Sequence, residues 1–110
     1  MTILQTLLLS TILLRPMEVT AYCKCESCCG NQSPGITASG YTIRQGDKLV
    51  AAPQTFKFGT QIFIPGYGLA SVRDRGGAIQ GSRLDVYFDS HKEALKWGRQ
   101  NVLVTVFQGE

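Results

Sequence analysis

The chain has 110 residues, and 44% hydrophobic with 17% charged residues is the balance of one globular domain, not of a disordered segment or a two-domain protein. Eleven Lys and Arg against eight Asp and Glu leave a formal charge of +3 without the dense basic stripe of a dedicated nucleic-acid binder, so nucleic acid is not an expected partner. A single histidine, His91, excludes any centre that needs two imidazoles.

The chain opens with an apolar run, Ile3 to Leu14, interrupted by Gln5, Thr6, Ser10 and Thr11 and followed by Arg15-Pro16. It is short for a bilayer span, which needs roughly 20 apolar residues, but it fits the apolar stretch of an export signal or a truncated membrane anchor. No Lys or Arg precedes it and no small-x-small cleavage site follows, so a leading strand or helix of the fold is the alternative. The expected division is residues 1–16 as this segment and 17–110 as the folded domain. The implied location is secreted or cell envelope, with membrane contact only through such an anchor.

Met17 to Tyr22 alternates apolar and polar residues, the signature of a half-buried strand. A loop rich in Cys, Gly, Asn, Ser and Pro follows, through Pro34-Gly35. Short segments Tyr41–Arg44 and Leu49–Ala52 flank the turn at Gln45-Gly46-Asp47, and Pro53 blocks further extension. Thr60–Ile64, Leu69–Arg73 and Arg83–Phe88 read as strands, separated by Pro65-Gly66 and by the loop that begins Asp74-Arg75-Gly76-Gly77. Ser90-His91-Lys92-Glu93 is a capping box that starts the one expected helix, and Gly98 ends it. His91, in the first turn, is expected to face solvent. Val102–Phe107 is the last strand. Roughly six short strands and one helix predict a mainly β, closed barrel, because an open sheet this small leaves long apolar edges.

Position narrows the acids. Glu93 is used in the capping box, Asp89 stands at the strand-to-helix junction as a cap candidate, Asp47 lies in a turn, and Glu18 and Glu110 have no chemical context. Asp74 ends a strand before Gly76-Gly77, a pair that frees backbone amides to turn towards a carboxylate or a substrate oxygen. Asp85 lies on the face of its strand opposite Leu84, Val86 and Phe88, together with Arg83 and Tyr87. Two carboxylates meeting in one cleft suit acid catalysis on a glycosidic bond. The plainer alternative is that Asp85 pairs with Arg83 or Arg73 and Asp74 caps a turn.

The four cysteines, Cys23, Cys25, Cys28 and Cys29, form C-x-C-x-x-C-C. Tetrathiolate zinc is stoichiometrically allowed but lacks the two separated knuckles of common zinc sites. Disulfides agree with export. The adjacent Cys28-Cys29 pair closes only with strain, which makes Cys23 and Cys25 the expected partners with the connectivity open. Free thiols are the third reading. No cofactor or metal is the favoured expectation.

The run from Val19 to Phe107 resembles the 3D domain family, named for three aspartates and found in bacterial cell-wall-active proteins. The motifs that carry the resemblance are Val19-Thr20-Ala21-Tyr22, Gly35-Ile36-Thr37-Ala38-Ser39-Gly40, Phe58-Gly59-Thr60, Pro65-Gly66-Tyr67-Gly68, Asp74-Arg75-Gly76-Gly77-Ala78-Ile79-Gln80-Gly81, Arg83-Leu84-Asp85-Val86-Tyr87-Phe88 and Glu93-Ala94-Leu95-Lys96-Trp97-Gly98. The resemblance implies a six-stranded double-psi β-barrel, similar to that of membrane-bound lytic transglycosylase A, whose acidic cleft takes peptidoglycan glycan strands. It implies a lytic transglycosylase with Asp74 as general acid/base, Asp85 tuning it or holding substrate, and Tyr22, Thr37, Ser39, Gly76 and Gly77 lining the groove. A comparable cysteine run in some members implies a structural feature at the barrel mouth. Two positions depart from the family pattern: Ala52 stands where it has its first aspartate, and Arg75 replaces the usual Thr beside Asp74. Those departures favour the alternative of a non-catalytic barrel that binds cell-wall glycan.

Overall fold

The computed structural model describes residues 11–25 and 35–108, so the first ten residues of the apolar segment, together with Cys28 and Cys29, lie outside the described residues. Six strands and one helix follow in the order β1 (Thr11–Tyr22), β2 (Leu49–Ala51), β3 (Gln61–Ile64), β4 (Gly68–Asp74), β5 (Arg83–Tyr87), α1 (His91–Trp97) and β6 (Gln100–Gln108). The strands close into a barrel in the order β1-β5-β2-β4-β3-β6. Two parallel pairs, β1 with β5 and β2 with β4, interlock through antiparallel neighbours, and the fold is the double-psi barrel.

Alternation builds the core. Met17 and Val19, Ile62 and Ile64, Ala70 and Val72, Leu84 and Val86, and Val104 and Val106 point inward from five strands and are buried. Phe56 and Tyr67 fill the remaining space from loops, and the Tyr67 hydroxyl donates to the Tyr87 carbonyl while accepting from the Leu49 amide at 3.3 Å. Tyr67 thereby supplies polar partners to β2 and β5 from inside the apolar interior.

β1 begins well before the expected Met17. Residues Thr11–Val19 pair antiparallel with Gln100–Gln108, while pairing with β5 starts only at Glu18. At Pro16 the strand therefore has a neighbour on one side, the edge setting that tolerates a residue without an N–H. Ile12 and Leu14 on this stretch are exposed, whereas Leu13 packs against the core.

The Tyr41–Arg44 segment does not become a strand. It forms a single bridge, Ile36 to Thr42, because the Asp47 carboxylate gathers it into a turn, accepting from the Arg44 amide at 2.7 Å and the Tyr41 hydroxyl at 2.8 Å. The folded loop covers the outer face of β5: Ile43 and Leu49 bury Tyr87, with Tyr22 and Tyr41 packed alongside. At the helix start Ser90 takes the cap alone, its hydroxyl accepting from the Glu93 amide at 3.1 Å. Asp89 instead accepts from the Gly46 amide, fastening the helix approach to the loop. Gly98, at φ 69°, ends α1, and the Trp97 indole N–H donates to the Val19 carbonyl at 3.0 Å, docking the helix on β1.

Candidate active site

Asp74 ends β4 and Asp85 lies within β5, and both are register partners of Ala51 on the intervening β2, where a bulge between Val50 and Ala51 sets the pairing with Asp74. The parallel pairing of β1 with β5 sets Thr20 opposite Asp85 and Tyr22 opposite Tyr87. The polar face of β1 therefore runs past both acids.

The two carboxylates have different surroundings. Asp74 accepts three hydrogen bonds: from the Tyr22 hydroxyl at 3.0 Å, the Ala38 amide at 2.8 Å and its neighbour's amide, Arg75, at 2.9 Å. Asp85 accepts from the Thr20 hydroxyl at 3.0 Å. Burial pushes its carboxyl up from 3.8 to about 6; the Thr20 bond and the Arg83 charge oppose that rise, and the Asp74 charge adds to it. Burial, then the neighbouring Asp74, likewise holds the Tyr22 hydroxyl far above its ordinary value, so it remains a donor.

The cations turn elsewhere. The Arg75 guanidinium donates to the carbonyls of Phe56 at 2.7 Å and Ala52 at 3.3 Å and lies over the Phe58 ring, 4.1 Å from its centre. Only the Arg75 backbone amide reaches the Asp74 carboxylate. Arg83 pairs with Glu18 at 3.1 Å, and Arg99 approaches the same carboxylate at 3.4 Å, so Glu18 has a context that its sequence neighbours do not reveal. Arg73 lies over the Tyr41 ring. The plain Asp85–Arg83 ion pair is not formed.

The other expected site residues separate into two groups. Thr37 is buried and its hydroxyl is engaged with Ser39 and with the Tyr41 backbone, while the Ser39 amide donates to Arg73, so these two side chains shape the turn that presents the Ala38 amide to Asp74. Gly76 and Gly77 are exposed and line an open groove of about 320 Å³ with Gln54, Arg75, Ile79 and Gln80. A side chain at Gly76 would meet Ile79 at 3.0 Å, while Gly77 faces open space. Ala52, at the departing family position, is buried in the core. Thr20 and the Ala38 amide were not singled out from sequence; the i, i+2 spacing of Thr20 and Tyr22 is the signal for the first, and a backbone donor leaves no signal for the second.

His91 is half-buried and turned to the cysteines, where a solvent-facing side chain was expected. The barrel brings its Nδ1 within 3.7 Å of the Cys23 sulfur and 3.6 Å of the Cys25 sulfur, because Cys23 directly follows β1 and His91 is the first residue of α1, which is docked on β1.

The family model described as "3D domain" matches residues 49–108. Among curated proteins of Bacillus subtilis (strain 168), the chain is 36% identical over 75 residues to "Cell wall-binding protein YocH", covering 66% of this chain and 26% of that protein. It is 30% identical over 89 residues to "Putative cell wall shaping protein YabE", covering 79% of this chain and 21% of that one. It is also 30% identical over 97 residues to "SPbeta prophage-derived uncharacterized protein YorM", with 78% and 37% covered. The chain thus spans well under two thirds of the length of each of these relatives.

Proposed function

The chain belongs to the 3D domain family, and from that premise we propose that it is a peptidoglycan lytic transglycosylase in which Asp85 carries the proton and Asp74 stays ionised. The carrying observation is the contrast between the two carboxylates: one accepts three hydrogen bonds, the other is half-buried with a single hydroxyl partner. Asp74 is the donor expected from sequence, but its carboxylate oxygens already accept three hydrogen bonds, whereas burial raises Asp85 to about 6. The cell-wall names of two relatives support the substrate class.

In this mechanism the Asp85 carboxylic acid donates its proton to the glycosidic oxygen leaving the N-acetylmuramic acid residue, and the C1–O bond breaks. The oxocarbenium-like centre is attacked by the same sugar's 6-hydroxyl, whose proton passes to the Asp85 carboxylate. A 1,6-anhydro ring forms and the acid is restored, with no water or metal consumed. Asp74, held by Tyr22, Ala38 and Arg75, supplies a fixed negative charge that keeps the Asp85 proton in place and stabilises the cationic centre. The Arg75 guanidinium is engaged with the carbonyls of Ala52, Asp74 and Phe56 and with the Phe58 ring, and bonds to neither carboxylate.

Digestion of purified peptidoglycan with mass detection of anhydro-muropeptides tests the proposal. Wild type is expected to release them, and Asp85→Asn to lower the rate by about 10²–10⁴-fold, the range of a lost general acid. Undiminished release by Asp85→Asn refutes the proton assignment. Retention of wild type on the wall without any anhydro product favours the non-catalytic glycan-binding barrel, for which Ala52 and the name of the first relative speak.

A further inference from the structure

We propose that Cys23, Cys25 and His91 hold a divalent transition-metal ion of the zinc class that fastens the end of β1 to the start of α1. The three ligand atoms all lie within 4.8 Å of one another, although His91 is 66 and 68 residues away from the two cysteines in sequence. Cys23 is buried and the other two are half-buried, as suits a structural site. The distances from Nδ1 to the two sulfurs, 3.7 and 3.6 Å, match the edge of a tetrahedron with zinc at its centre, about 3.5 Å for metal–sulfur bonds of about 2.3 Å and metal–nitrogen bonds of about 2.0 Å. The two sulfurs stand 2.8 Å apart, and a tetrahedral edge of about 3.8 Å requires them to spread by about 1 Å, within reach of a side-chain rotation.

The donor set selects the ion. Two thiolates and an imidazole are soft to borderline ligands suited to zinc, not to magnesium or calcium, and no carboxylate belongs to the cluster among the described residues. A disulfide between Cys23 and Cys25 employs both sulfurs but has no use for the imidazole that the fold carries beside them. The sequence offers two further thiolates at Cys28 and Cys29, outside the described residues, and the site proposed here is defined by the three described ligands. Its role follows from its place. Cys23 adjoins Tyr22, whose hydroxyl holds Asp74. An ion on Cys23 and His91 fixes that end of β1 independently of any substrate, so this inference does not rest on the proposed activity.

The full chain, purified under reducing conditions, is expected to carry about one zinc per molecule by elemental analysis. After removal of zinc, cobalt(II) is expected to produce a thiolate-to-metal charge-transfer band and intense tetrahedral visible bands, both abolished by added zinc, and zinc is expected to raise the melting temperature. His91→Gln and Cys25→Ser should each weaken zinc binding by more than about 100-fold, beyond what loss of a supporting partner costs. Folding of both variants is checked by circular dichroism. Reduced wild type that develops no charge-transfer band, or protein whose Cys23 and Cys25 form a disulfide and regain no metal on reduction, overturns the site. A folded His91→Gln variant with wild-type zinc affinity and an unchanged cobalt spectrum removes His91 from it and overturns the fastening.

Discussion

Asp85→Asn separates the cost of keeping a half-buried carboxyl from its use. Raising the Asp85 pKa from 3.8 to about 6 means that folding disfavours its charged form by about 3 kcal/mol, at 1.36 kcal/mol per pKa unit. The sign follows from proton linkage. Between about pH 4 and 6 the folded chain holds a proton that the unfolded chain has released, so this group's contribution to stability falls as pH rises through that window and is constant on either side. The amide has no such charge and keeps an oxygen for the Thr20 hydroxyl. The variant should therefore match wild type below pH 4 and exceed it by up to about 3 kcal/mol above pH 6, which is about 10–20 °C in Tm for a domain of this size. Urea unfolding of both proteins at intervals from pH 3.5 to 7.5 measures the difference. Parallel stability profiles, or a gap that opens in the opposite direction, refute the assignment of a raised pKa to Asp85. Gain of stability together with loss of anhydro product is the pattern of a residue retained for chemistry.

Three further variants test neighbouring contacts. Thr20→Val removes the hydrogen bond that favours the Asp85 anion, so the Asp85 pKa should rise above about 6 and the alkaline limb of the activity profile should move to higher pH. Arg75→Ala loses the bonds to the Phe56, Ala52 and Asp74 carbonyls and the Phe58 contact; it should destabilise the fold by about 1–3 kcal/mol in urea unfolding while leaving the pH profile in place, because the guanidinium makes no bond to the Asp74 carboxylate. Tyr67→Phe strips a buried hydroxyl from the Leu49 amide and the Tyr87 carbonyl and should cost about 1–3 kcal/mol by the same measurement, with no change in the titration of the acids.

Strand alternation made the barrel legible, since inward Val, Ile and Leu recur at every second residue of each long strand. The capping box and Gly98 bounded the helix for equally local reasons. The early start of β1 stays open in the sequence between an export signal or anchor and a leading strand or helix, because the run shows no strand alternation, and it is the pairing of residues 11–16 with β6 that makes them strand. Asp74 and Asp85 could be chosen from spacing, but the difference between them rests on the hydrogen-bond donors that distant residues bring to Asp74 and on the burial of Asp85, and that is tertiary information. The direction of the Arg75 guanidinium and the meeting of His91 with Cys23 and Cys25 belong to the same class, because their partners lie far away in sequence.

The pairing of β1 has a consequence for synthesis. Both neighbours of this strand, Arg83–Tyr87 and Gln100–Gln108, are translated after every other strand of the barrel. On the ribosome β1 must wait with its hydrogen-bonding edges open until those residues emerge, so the barrel cannot close piecemeal and non-local topology slows its folding. Exposed Ile12 and Leu14 sit on that waiting strand. Aggregation of nascent chains, more than unfolding of finished ones, is therefore the hazard that this connectivity imposes.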